Sequence, residues 1–370
     1  MTSNRPVEYF RQHSALADWL RAVRAESRNT ILAEDSTRSG RLAALSQLMG
    51  LPIIEAVTFD GGELANPSER FASFAESATG RYAVRAFPRR EDSGQVHRNR
   101  NLPLPALVDW LMHLDLDLDL YEIEISQHLP NHWATIFVVN SDGVIGEIVR
   151  GSLRQLTQGG PGTAPSVSYV TDFQTWKMEA PTPEWQRTAA AAVAYTRVPD
   201  VDVRTRLRDT LNCEFARDLH LCGYFEAIVT PDGDIRFIDY NISLGDQVPA
   251  AFVHLMMDQH GVGGDVRGRT ASRGSVTGRA RVVVFEDVAS ARLEDGEVLV
   301  CVEPTPDMVP LLAKAGGLVA DRGGVLSHAS IVCRELAIPC VVGTTNATEI
   351  IPDGAMIEVN ADAGLVRVLP

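Results

Sequence analysis

Residues 321–343 read DRGGVLSHASIVCRELAIPCVVG and set His328 behind two glycines and a serine, at the start of a helical pattern. Ser327 is a good N-cap for a helix beginning at His328, and Gly323 and Gly324 let the preceding backbone turn closely. Such a turn gathers unpaired N–H groups and the positive end of the helix dipole at the ring. An anion attached to His328 would be stabilised where it forms. A neutral imidazole can attack phosphorus, and its ordinary pKa leaves much of it unprotonated near neutral pH. Arg334, a little under two turns along, is available as a second phosphate contact. On local physics alone, a histidine that only caps the helix explains the pattern equally well.

Outward from this stretch, strands are expected at 280–285, 297–302, 317–320 and 340–342, a helix at 307–315, and a closing hairpin over IEVNADAGLVRVL. That alternation indicates an α/β unit of roughly 100 residues. Just upstream, GVGGDVRGRTASRG at 261–274 holds five glycines and no apolar periodicity, and is expected to be a flexible linker. Fully extended, it would reach about 45 Å.

The remainder is a second, larger unit. Phe10, Leu16, Trp19, Leu20 and Val23 recur at helical spacing over 8–25, and a short helix at 41–49 stops at Gly-Leu-Pro before a strand at 53–59. YAVR at 82–85 is a strand leading into a charged loop. LDLDLDLYEIEIS at 114–126 alternates with period two, which predicts a strand with one buried face and one solvated acidic face. TIFVVNSDGVIGEIVRG and FEAIVTPDGDIRFIDYN each read as two strands around a turn, with helices expected at 183–195 and 204–221 between them.

Composition narrows the partners. The formal net charge of the 370 residues is -14, which gives a nucleic-acid partner no general electrostatic support. Lys177 and Lys314 are the only lysines, so anion binding falls to arginine, whose planar fork suits phosphate. The five cysteines show no CxxC or Cys/His spacing, and His128 and His132 flank Pro130 at an uninformative loop spacing, so no zinc site is read. MTSNRPVEYFRQH lacks an apolar targeting core and no run of about 20 apolar residues occurs, from which no membrane association and a cytoplasmic location are expected.

GLVADRGGVLSHASIVCRELAIPCVVG, with TGRARVV before it and DGAMIEVNADAGLVRVL after it, resembles the phosphohistidine swivelling domain of the phosphoenolpyruvate-utilising enzymes. That family includes phosphoenolpyruvate synthase, pyruvate phosphate dikinase and rifampin phosphotransferase. The resemblance implies that His328 is phosphorylated, with Gly323, Gly324, Ser327 and Arg334 in support. Ala320 stands where many members have threonine, and Cys333 where alanine is common.

SGRLAALSQLMGLPI and YAVRAFPRREDSG resemble the opening and the phosphate-binding segment of the same family's ATP-grasp domain. This resemblance implies that Arg85 binds ATP phosphates and that Arg41 occupies the place of a family lysine. It further implies adenine contacts from Gln127 and Leu129, a polar contact from Glu147, and Mg²⁺ ligation by Glu226, Asp239 and Asn241. DYN at 239–241 departs from the family's usual Gln-x-Arg-Pro ending and resembles the acid-x-Asn of general ATP-grasp ligases.

The expected fold is α/β: an α+β ATP-grasp-like domain at 1–260 with an N-terminal helical extension, the linker at 261–274, and a phosphohistidine domain at 275–370. The expected function is a dikinase-type phosphotransferase that uses ATP and Mg²⁺ to phosphorylate a small-molecule acceptor through His328, releasing AMP and phosphate. With no pyruvate-binding barrel read in the sequence, the acceptor is expected at the ATP-grasp surface, under the loop at 158–166, or on a partner protein. A ligase joining two small molecules and a non-catalytic phosphocarrier are the alternatives.

Overall fold

The computed structural model describes residues 16, 19, 20, 23, 28–90, 95–157, 166–179, 182–258, 266–284 and 287–370. Helix α1, Arg28–Met49, is more than twice as long as the helix expected at 41–49. Its first half was hidden because Asp35, Arg38 and Ser39 face a cavity, which removes the apolar stripe on which helical periodicity depends. Within 8–25, the described residues Leu16, Trp19 and Leu20 are helical and buried, and Val23 is a half-buried turn residue; the rest of that expected helix lies outside the described residues.

The first sheet joins β1 (Ala56–Asp60), β2 (Tyr82–Pro88), β3 (His97–Leu102) and β4 (Tyr121–Gln127) in the antiparallel order β1-β4-β2-β3. Helices α2 (Glu69–Ser77) and α3 (Leu104–Met112) supply Phe71, Leu107 and Leu111 to a core with Phe59, Val84, Ile123 and Ile125. Burial of each such side chain contributes about 1.5–3 kcal/mol. The strand expected at 114–126 begins only at Tyr121, because Asp115 takes φ 52 directly after α3 and breaks the extended run. Its acidic face is only partly solvated: Glu124 is buried.

The second sheet contains β5 (Trp133–Asn140), β6 (Gly143–Arg150), β7 (Val167–Thr171), β8 (Trp176–Met178), β9 (Gly223–Val229) and β10 (Ile235–Asn241), in the order β10-β9-β5-β6-β7-β8. The central strands β5 and β6 are covered on both faces. Helices α4 (Pro183–Ala194) and α5 (Val201–Leu211) pack Ala189, Ala192, Val193 and Leu207 against one face. The helix expected at 204–221 stops at Leu211, where Asn212 adopts the left-handed cap with φ 52. The loop at 158–165 lies outside the described residues.

The third sheet runs β11-β18-β17-β13-β14-β15-β16-β12. Its members are β11 (Val266–Arg267), β12 (Arg269–Ser272), β13 (Ser275–Val283), β14 (Val298–Cys301), β15 (Gly317–Ala320), β16 (Cys340–Val342), β17 (Met356–Asn360) and β18 (Leu365–Val368). Strands β13 to β16 form a parallel core, and α6 (His328–Glu335) crosses from β15 to β16. The linker expected at 261–274 is corrected at its described residues: β11 and β12 pair into this sheet. Gly268 serves close packing there, since a Cβ would sit 2.6 Å from the Val342 carbonyl oxygen. The expected helix at 307–315 is a single turn of 3₁₀ helix, Pro306–Met308, followed by Val309–Leu312.

One apolar cluster joins the second and third sheets. It runs from Ala134, Ile136 and Ile228 to Ile331, Val332 and Leu318, so α6 is clamped between the two layers. The N-terminus of α6 is thereby fixed beside the cavity-facing side of β9 and β10.

Candidate active site

The turn before α6 is built as its residues dictate. Gly323 takes φ 119, in the left-handed region, and Ser327 in extended geometry accepts a hydrogen bond from Ser330 N. Ser330 Oγ in turn donates to the Gly324 carbonyl at 2.6 Å. His328 follows, 8% exposed, with its ring edge-on to Trp19 at 6.0 Å between centroids. Burial, and then the positive charge of Arg98, lowers its pKa to about 4, so the ring is neutral at pH 7. Its Nδ1 is buried without a hydrogen-bond partner.

His328 opens into a cavity of about 890 Å³ enclosed by α1 and the first two sheets. Helix α1 presents Asp35, Arg38 and Ser39, spaced to share one face. Arg38 Nη2 donates to Glu124 Oε1 at 2.9 Å, and Ser39 Oγ donates to the other oxygen of Glu124. Arg85 and Arg98 are register partners on β2 and β3, and both reach Asp35, at 3.5 Å and 2.5 Å. Burial alone would raise the Asp35 pKa, but Arg98, Arg85 and Arg38 together hold it at about 2. Burial, reinforced by Arg38 and Arg98, brings Arg85 down to about 10.

Opposite this array, Glu226 on β9 and Asp239 on β10 are register partners and stand side by side. Burial raises both carboxyl pKa values, and for Glu226 the neighbouring Asp239 charge adds to the rise. Glu226 Oε1 accepts from Tyr224 Oη at 2.8 Å, whereas Asp239 Oδ1 is buried with no hydrogen-bond partner. Arg38 Nε and Arg85 Nη1 are orphaned in the same way. Buried donors and acceptors left unpaired around one cavity are costly unless a ligand completes them. Guanidinium donors on one wall and paired carboxylates on the other fit a nucleoside triphosphate with Mg²⁺, which takes one or two carboxylates plus phosphate oxygens. The described residues contain no group of three or more His, Cys, Asp or Glu able to hold a metal ion by itself.

The expected site residues divide. His328, Arg85, Gln127, Leu129, Glu226, Asp239 and Asn241 all line the cavity. Asn241 Oδ1 also caps the helix Ile242–Asp246 by accepting from Leu244 N at 2.8 Å. Three others point elsewhere. Arg41 donates from Nε and Nη2 to the Tyr240 carbonyl at 3.2 and 3.0 Å, tying α1 to β10. Glu147 is buried under the turn and accepts from Val325 N at 2.7 Å. Arg334 spends Nη1 on the Ala271 and Val325 carbonyls at 2.8 and 2.9 Å, bracing the loop instead of facing a phosphate. Asp35, Arg38 and Arg98 were not anticipated. The only sequence signal for Arg98 and Arg100 is their period-two placement in HRNRN, which puts both on one face of β3.

The turn-and-helix geometry around His328 now has a counterpart among known families. Residues 293–364 match the family "PEP-utilising enzyme, mobile domain". A probable phosphoenolpyruvate synthase of Methanothermobacter thermautotrophicus is 45% identical over 101 residues, 27% of this chain and 15% of that protein. Rifampicin phosphotransferase of Bacillus cereus is 41% identical over 102 residues, 28% of this chain and 12% of that protein. The match thus spans only a small part of the length of these curated relatives. Among solved structures, D-cycloserine synthetase DcsG aligns over 59% of this chain and 64% of its own, at 15% identity and a TM-score of 0.29.

Among the described residues, these polar contacts join the third sheet and α6 to the larger unit. Arg269 Nη1 donates to Glu179 Oε2 at 3.0 Å, and to Ser168 Oγ, while its Nη2 donates to the Gly323 carbonyl at 2.9 Å. Gln247 Nε2 donates to Glu335 Oε1. With the Glu147–Val325 bond, these bring His328 to the cavity mouth.

Proposed function

We propose that this protein is an ATP-dependent phosphotransferase in which His328 takes a phosphoryl group from ATP bound in the central cavity and passes it to a small-molecule acceptor. The observation that carries the reading is the placement of a neutral, buried imidazole at the edge of a cavity whose other walls hold Arg38, Arg85 and Arg98 against Glu226 and Asp239. A neutral ring keeps the lone pair needed for attack. Arginines aimed at phosphate oxygens supply electrostatic stabilisation, which is the main demand of phosphoryl transfer. Mg²⁺ held by Glu226 and Asp239 would neutralise charge on the phosphate chain.

By analogy with the phosphoenolpyruvate-utilising enzymes, a ring nitrogen of His328 forms a bond to the β-phosphorus. The bond from that phosphorus to the oxygen bridging the α-phosphorus breaks, and AMP leaves with the electron pair. Water removes the terminal phosphate, and the remaining phosphoryl group passes to an acceptor hydroxyl as its proton goes to solvent. The acceptor in this scheme is a small molecule, read here as a specialised metabolite, and a partner protein could present it. Five free cysteines and the use of ATP favour the cytoplasm.

ATP labelled separately at the β and γ positions tests the scheme. The β label is expected on His328 with AMP released, and both are expected to vanish in His328→Ala. Release of ADP alone, or turnover unaffected by that substitution, would sink the scheme. A joined product with no phosphorylated compound would point to a ligase instead.

A further inference from the structure

Most charges of the cavity already have a plain assignment. Arg38 gives its Nη2 to Glu124 and keeps its Nε for the nucleotide, and Glu226 and Asp239 form the paired-carboxylate wall. Arg98 differs. It stands on β3, at the edge of the first sheet, and its Nη2 is anchored on Asp35 Oδ2 at 2.5 Å. A guanidinium carries five donors in a planar fork, so one bond to Asp35 fixes its orientation and leaves donors to spare. Arg85 lies beside it in register, its Nη1 3.5 Å from the other oxygen of Asp35 and without a hydrogen-bond partner. One carboxylate from α1 therefore holds two guanidinium groups side by side in the cavity that His328 also lines.

We propose that Arg98 is a catalytic residue of the transfer at His328 itself, contacting the phosphoryl group as it bonds to the imidazole and retaining it there, with Asp35 as the positioning residue that aims Arg98 and Arg85. This rests on the reading that His328 carries phosphate. The same charge acts at each stage. Before transfer, a cation facing the ring penalises imidazolium and keeps the attacking lone pair free, in line with the lowered His328 pKa. During transfer, the nitrogen–phosphorus bond forms while the bond from phosphorus to the bridging oxygen of the departing nucleotide breaks. The other ring nitrogen keeps its hydrogen throughout, and the charge on the non-bridging oxygens turns toward the Arg98 fork. After AMP leaves, that fork faces the pyrophosphoryl group on His328 and, once water has removed the terminal phosphate, the phosphohistidine, whereas the carboxylates of β9 and β10 would hold a metal on the donor side.

A purely nucleotide-binding role for Arg98 would behave differently, because its loss would be overcome by saturating ATP. The decisive experiment is rapid-quench, single-turnover labelling of His328 from β-labelled MgATP in the wild type, Arg98→Ala and Arg98→Lys, across pH 3.5 to 8, so that the wild-type limb near pH 4 falls inside the window. Arg98→Ala is expected to slow labelling about 100-fold at saturating MgATP, the usual cost of one oxyanion donor, with nucleotide affinity changed less than about threefold. Its acid limb should move to higher pH as the ring regains protons. Arg98→Lys should restore much of the pH profile but little of the rate, since it returns charge without the fork. Asp35, Arg38, Glu55, Arg85, Arg100, Glu124, Arg154, Glu226 and Asp239, the other charged residues lining the cavity among the described residues, and the titratable His128 are unchanged in every variant.

Wild-type rates at saturation in Arg98→Ala, or a lysine variant as fast as wild type, would overturn the proposal. So would a slowed variant whose acid limb has not moved, which marks a merely structural role. An unlabelled His328 in the wild-type protein would defeat the underlying functional reading, and the role of Arg98 with it.

Discussion

Two walls meet at the cavity, and they are furnished in opposite ways. The wall made by α1 and the first two sheets is dense in charge, with Asp35, Arg38, Arg85, Arg98, Glu226 and Asp239, and several of their buried atoms lack hydrogen-bond partners. Among the described residues, the region around α6 contributes only His328 and Ile331 to the lining. The difference separates the wall that would meet the nucleotide and its transferring phosphoryl group from the wall that bears the nucleophile. The charged wall is incomplete without a ligand and so carries a latent instability, whereas the wall bearing the nucleophile adds no further charge to the cavity lining. Each variant below presses on one side of that contrast.

The largest effect is expected from the charged wall. Glu226→Gln with Asp239→Asn should weaken MgATP binding by about 100-fold or more, read by titration calorimetry, because both hard oxygen ligands are lost. The same variant should make the ligand-free protein more resistant to urea at pH 7. Burial raises both carboxyl pKa values in the fold, so their charged forms are penalised there and stability falls as pH rises above the ordinary carboxyl range. Lowering the pH from 7 toward 5 should therefore favour the wild type relative to the double variant, so that the stability gap between them narrows. A double variant that is less stable than wild type at pH 7 would show that the wall is not strained without ligand.

The wall bearing the nucleophile is tested at Gly324. A Cβ there would lie 1.8 Å from Glu147 Oε2, and Glu147 is fixed within β6. Gly324→Ala must push the turn before α6 away from the second sheet, at a cost of about 1–3 kcal/mol typical of overpacking. His328 labelling is expected to fall roughly 10- to 100-fold at saturating ATP, while MgATP affinity stays within about twofold of wild type. If affinity fell in step with labelling, the two walls would not be separable in the way their composition suggests.

How much of this was legible beforehand follows the same division. The α6 region could be read closely: strands Gly317–Ala320 and Cys340–Val342 stand where expected, and Ser327 caps the helix, because glycine, proline and capping residues announce their roles locally. The charged wall could not. Arg38 acquires meaning from Glu124, a partner 86 positions away, and Arg98 from Asp35, 63 positions away. No local pattern records such pairings. The segment at 266–274 misled for a related reason, since glycine that permits close packing against Val342 reads in sequence as glycine that permits flexibility.

Arg41 gives the smallest and most discriminating test. It lies three residues beyond Arg38 on α1, yet its guanidinium turns from the cavity to the Tyr240 carbonyl. Arg41→Met keeps the apolar stem and removes the donors, leaving that buried carbonyl short of partners. The variant should lose about 1–3 kcal/mol in urea unfolding, the cost of an unpaired buried group. Its MgATP affinity should change by less than about twofold, because no charge facing the ligand is altered. A tenfold loss of affinity would instead put Arg41 on the charged wall and restore the role its place in the sequence first suggested. Affinity held with stability lost would confine the nucleotide contacts of α1 to the face bearing Asp35 and Arg38, only three positions earlier on the same helix.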